Sequence, residues 1–163
     1  MQARLKQVVD WRAAFIAGIV GGTVFLILSL LLIPAAFGGN GWIVIRYLAS
    51  IVMGESVLPP PATFDATVTV VALLVHYLLS LAFALILAVI THRWGFVVGI
   101  VVGAVYGFSL YLINMYTFTF FFEWFFVMNS WVFAFTHVVF GAVSGGIYEA
   151  LEVERFVVVE ETS

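Results

Sequence analysis

THVVFGAVSGGIYEAL, Thr136–Leu151, carries a histidine inside an apolar run, with glycines following at four-residue steps: His137, Gly141, Gly145. Residues four apart share one helical face, so these three stack along one side. Val75–Ile90, VHYLLSLAFALILAVI, repeats the pattern as His76, Ser80 and Ala84. Two helices of this kind in one chain read as two similar halves of a bundle.

The remaining composition says which solvent such helices meet. The chain has 163 residues, 64% hydrophobic and 9% charged, with mean hydropathy +1.20. A soluble domain carries about 25% charged residues, so lipid is the expected surroundings. A spanning helix needs about 20 apolar residues, and four stretches qualify: about 11–36, 67–90, 95–115 and 127–151. Backbone groups in lipid must be satisfied within the element, which favours helices over open strands. The runs are continuous, unlike the alternating ten-residue segments of a membrane β-barrel. The expectation is one all-α, polytopic domain over 1–151, with an acidic tail over 152–163.

Between the first two spans lies WIVIRYLASIVM, Trp42–Met53. It is too short to cross and reads as a helix lying at the interface or capping the bundle. Pro59, Pro60 and Pro61 then favour a stiff connector. Tyr116–Phe126, YTFTFFFEWFF, is an aromatic girdle of the kind found at a membrane–water boundary. Met1–Arg12 is read as a short amphipathic lead. With four spans, Arg4, Lys6, Arg12, Arg93 and Arg155 fall on one side and Arg46 on the other. Both termini are therefore expected in the cytoplasm.

Small residues mark the expected helix contacts. Gly18 and Gly22 lie on one face of the first span. Gly95, Gly99, Gly103 and Gly107 step along the third, and Gly141 and Gly145 along the fourth. Such faces let backbones approach closely. The order of features suits a two-plus-two parallel repeat, with His76 and His137 about ten residues into their helices and facing each other across the axis.

Composition also removes several chemistries. The chain has no cysteine, which excludes disulfides, thiolate nucleophiles and Cys-ligated metal sites. No HExxH, GxSxG or paired carboxylate is present, and no basic patch suits nucleic acid. Glu149, Glu152 and Glu154 read as a solvated helix end. An intramembrane histidine is a site hypothesis in itself. His76 and His137 would hydrogen-bond neighbouring helices, with Tyr77, Tyr106, Ser109, Thr136 or a backbone carbonyl as partners. Alternatively they would ligate a b-type haem in a haem- or quinone-linked electron carrier. A third reading is a polar path in an oligomeric channel or transporter.

Several residues together resemble small bacterial inner-membrane proteins of the YagU-like group. They are Ala17-Gly18 and Gly21-Gly22 in the first span, Ala49-Ser50 to Gly54, His76, the glycine steps from Gly95, and the closing His137, Phe140, Gly141, Gly145 and Tyr148. The resemblance spans about residues 12–151 and implies a four-helix fold in a bacterial inner (plasma) membrane with no assigned activity. The function expected is a non-enzymatic membrane module or accessory subunit, partnered by the lipid bilayer and by copies of itself or a larger membrane complex.

Overall fold

A computed structural model describes residues 3–160. The side chains of Arg4 and Lys6 and residues 161–163 of the tail lie outside what is described. Five helices follow one another: α1 (Trp11–Phe37), α2 (Trp42–Met53), α3 (Ala66–Thr91), α4 (Phe96–Tyr116) and α5 (Trp131–Leu151). Four of them, all but α2, are long and apolar enough to cross a membrane.

Side-chain size sorts itself in the sense expected for lipid. On α1 the buried face is built largely from Ala13, Ala14, Ala17, Gly18, Gly21 and Gly22. Large apolar side chains such as Leu31, Leu78, Val101 and Val105 point outward. Where lipid is as apolar as leucine, small residues that let helices close up do the packing.

The α4–α5 contact is the tightest. A Cβ built on Gly103 would overlap the Gly141 carbonyl oxygen, one on Gly107 the His137 carbonyl, and one on Gly145 the Gly99 carbonyl. On α1, a Cβ on Gly22 would come within 2.7 Å of Ser80 Oγ, and one on Gly18 within 3.1 Å of Ala84 Cβ. Gly95 differs from the sequence expectation. It precedes α4 at φ 82°, ψ 168°, a region nearly confined to glycine, and a Cβ there meets nothing within 4 Å. Its role is to start the helix, since a side chain there would face open space. Gly21, which was not among the glycines expected to pack, lies against Ser144 of α5.

The packing is lopsided. α5 lies against both α1 and α4, and α1 lies against α3, whereas α3 and α4 touch sparsely. α2 lays its buried face, including Val44, Ile45 and Leu48, largely on α3. Its Arg46 guanidinium donates to the carbonyls of Val57 and Thr63, at 2.7 and 3.3 Å, and so holds the returning loop.

Two further features depart from the expected outline. α5 begins at Trp131, capped by Ser130, whose hydroxyl accepts from the Phe133 N–H at 3.2 Å. Residues Glu123–Met128 form a separate short helical turn instead. His137 therefore lies six residues into its helix, about 9 Å from the start at 1.5 Å per residue. The lead and tail are also not independent ends. Strands β1 (Ala3–Val8) and β2 (Arg155–Glu160) pair antiparallel, Ala3 with Glu160 through Val8 with Arg155.

Candidate functional site

The two histidines come from different helices to one place. His76 lies on α3 and His137 on α5, 4% and 5% exposed. The ring of Phe25, from α1, lies against both. Its centroid is 5.6 Å from His76, stacked, and 4.9 Å from His137, edge to face. Phe25 thus occupies the position where the imidazoles were expected to meet.

Each histidine is held by hydrogen bonds. His76 Nε2 lies 2.8 Å from the Gly22 carbonyl oxygen. A carbonyl only accepts, so Nε2 carries the hydrogen and Nδ1 is left as an acceptor. His137 Nδ1 lies 2.8 Å from the Phe133 carbonyl, one turn back in α5. Its Nε2 is 3.0 Å from Asn114 Nδ2 of α4. Nδ1 therefore donates and Nε2 accepts from the amide, which leaves the ring neutral with both nitrogens satisfied.

Of the partners expected for the histidines, a backbone carbonyl is used and the side chains are not. Tyr77 Oη pairs with Thr23 Oγ1 at 2.9 Å, and Tyr106 Oη donates to the Phe83 carbonyl at 3.0 Å. Ser109 and Thr136 bond carbonyls of their own helices. Asn114 and Phe25 were the missed members. Asn114 had a signal, as the one side-chain amide in the four long helices. Phe25 had none, being one of 17 phenylalanines.

Around these groups is a cavity of about 320 Å³. All four long helices, α2 and the aromatic segment after α4 contribute to its wall. Seven phenylalanines line it, with Ser80, Asn114, Thr119 and the two histidines as its polar points. The aromatic segment is tied down as a roof. Trp124 Nε1 donates to Ser50 Oγ of α2 at 3.0 Å, and Tyr47 meets Phe125 edge to face at 5.8 Å.

A bis-imidazole haem would need each histidine to turn a free ring nitrogen toward one metal. His76 uses Nε2 on Gly22, His137 has both nitrogens bonded, and Phe25 fills the space between. The residues do not fit that cofactor. Among the described residues no group of three or more His, Asp or Glu side chains is placed to hold a metal ion.

At the opposite end of the bundle Asp10 and Glu152 are bonded into the structure. Glu149, expected at a solvated helix end, instead has a buried Oε1 with no hydrogen-bond partner among the described residues. Asp10 caps α1, accepting from the Arg12 and Ala13 N–H groups at 3.0 and 3.1 Å, and also accepts from Val153 N–H at 3.2 Å. These donors, Ala13 first, hold its carboxyl below the usual aspartate range. Glu152 accepts from Tyr148 Oη at 2.9 Å, and burial raises its carboxyl above the usual range. Comparison of the chain with protein-family models, curated proteins and solved structures gives no match.

Proposed function

We propose that this chain is a non-enzymatic, multi-pass membrane module, closed on its α4–α5 side by backbone-to-backbone packing and holding a binding cavity on its α3–α4 side. The observation that carries this reading is the pair of neutral, buried histidines fixed around Phe25 in a mostly apolar cavity. Apolar pockets with a few convergent polar groups are the usual form of a small-molecule site. Nothing in the arrangement resembles an activated nucleophile or an acid–base pair, and the bonded histidines suit a structural role.

The excess of Lys and Arg on one side supports an inner-membrane orientation with both termini cytoplasmic. A two-plus-two repeat pairs α1 with α4 and α3 with α5. In such a repeat the close α1–α5 contact has α3–α4 as its counterpart, and that counterpart is the splayed interface. The cavity lies where the repeat is broken.

The chain's lack of cysteine makes orientation directly testable. Single cysteines at Ser56, in the α2–α3 loop, and at Gln7, in β1, are labelled in intact bacterial cells with a membrane-impermeant maleimide. Ser56→Cys should react and Gln7→Cys should react only after lysis. The reverse pattern overturns the orientation, and labelling of both in intact cells overturns the multi-pass reading. Stoichiometric co-purification with a larger complex supports the accessory-subunit form of the proposal.

A further inference from the structure

We infer that the cavity between α3 and α4 takes a neutral, hydroxyl-bearing aromatic lipophile of the alkylphenol class, entering sideways from the bilayer. This rests on the membrane reading above.

The route follows from the helix packing. α3 and α4 are joined by the turn after Thr91 and strapped by the Tyr106–Phe83 hydrogen bond. Beyond that strap they separate, and the cavity fills the space between Leu79 and Ser80 on one side and Leu110 and Asn114 on the other. Leu79 is 40% exposed at this edge. The flanks of both helices are apolar, so the mouth opens toward acyl chains.

The chemistry of the occupant follows from the wall. The cavity lining includes no Asp, Glu, Lys or Arg, and a charged head group there would be buried without a partner, at high cost. Phenylalanine faces and edges on several sides suit a flat ring. A cavity of about 150 Å³ holds benzene, so about 320 Å³ admits a ring with part of its substituent. The unused polar capacity both accepts and donates. His76 Nδ1 and Asn114 Oδ1 make no hydrogen bond among the described residues, and the Ser80 hydroxyl is likewise without a partner. The two free acceptors need a donor, which a phenolic hydroxyl supplies and an ether or ester does not, and the phenolic oxygen can in turn accept from Ser80.

The test uses the full chain in phosphatidylcholine nanodiscs titrated with 4-nonylphenol, read by native mass spectrometry and by melting temperature. Wild type should bind one molecule saturably and melt higher. The methyl ether 4-nonylanisole, without the donor, should bind about tenfold more weakly, the equivalent of ~1.4 kcal/mol, and decanoate should not compete. Leu79→Trp fills the mouth from a lipid-facing position and should abolish the saturable adduct. Ile51→Phe fills the cavity from α2 and should do the same if the first variant fails to fold. Adducts that never saturate, or that are equal in wild type and a folded filled variant, overturn the proposal and mean partition into lipid only. Equal binding of phenol and ether overturns the assigned chemistry. Failure of the chain to enter nanodiscs as a helical protein is a different result and overturns the membrane reading instead.

Discussion

Asn114 Nδ2 lies 3.0 Å from His137 Nε2, and this one hydrogen bond joins α4 to α5 at the cavity wall. Together with the Phe133 carbonyl it fixes His137 as the Nδ1–H tautomer. Asn114→Leu removes the donor and leaves Nε2 without its partner. An interhelical hydrogen bond in a membrane contributes about 1 kcal/mol, so unfolding in mixed micelles should shift by about that amount. Nitrogen-15 spectra of labelled histidine should show Nδ1 protonated at His137 in wild type. An Nε2-protonated His137 would contradict the assigned network.

Glycines at similar sequence spacing have different jobs, and substitution separates them. Gly103→Ala drives a methyl into the Gly141 carbonyl, with backbone on the receiving side and no flexible side chain to yield. The α4–α5 pair must separate, at a cost of about 1–3 kcal/mol. Gly95→Ala meets open space and is strained only by φ 82°, at a similar ~1–3 kcal/mol. The two differ in where the damage appears. Hydrogen exchange should quicken along the middle of α4 and α5 in the first variant and only at the start of α4 in the second. Identical exchange maps would refute the packing role of Gly103.

Long apolar runs and glycine steps made the four long helices and the tight α4–α5 face readable, because length and side-chain size act locally. Gly95 was misread because four-residue spacing cannot distinguish a packed glycine from one needed for backbone shape. The start of α5 was placed four residues early. The apolar aromatic run continues smoothly into the helix, and Ser130 was the cap that should have marked its start. The β1–β2 pairing joins segments about 150 residues apart, and neither local pattern names its partner. The histidines were visible as chemistry, but Phe25 and Asn114 reach them from other helices, which only tertiary packing decides.

Asp10 ties this long-range pairing to the bundle. One carboxylate oxygen caps α1 and the other holds Val153 as the chain leaves α5. Asp10→Ala should cost about 1 kcal/mol for the lost cap and loosen the β1–β2 pair. The pH dependence has a definite sign. The native carboxyl titrates below its ordinary value, so its stabilisation is complete above about pH 4, the ordinary aspartate range, and is lost as pH falls through the lower native value. Wild type and Asp10→Ala should therefore differ at neutral pH and converge in stability in strong acid. A difference that persists unchanged into acid would show that the charge contributes nothing.

The cavity roof depends on a second polar link, from Trp124 Nε1 to Ser50 Oγ, with the serine hydroxyl itself donating to the Tyr47 carbonyl at 2.7 Å. Ser50 is fully buried, so removing the indole donor leaves a serine acceptor position empty while an aromatic ring remains to fill the space. Trp124→Phe should leave the α4–α5 core untouched, because no residue of that contact touches the link. Hydrogen exchange should rise in Phe118–Met128 and at the end of α2, with protection of Gly99–Gly107 unchanged. Ser50→Ala should raise exchange in the same segments, since both variants remove the Trp124–Ser50 bond, and it additionally frees the Tyr47 carbonyl near the end of α2. If exchange in the aromatic segment is the same in all three proteins, the roof is held by ring packing such as Tyr47 on Phe125, and the hydrogen bond is incidental.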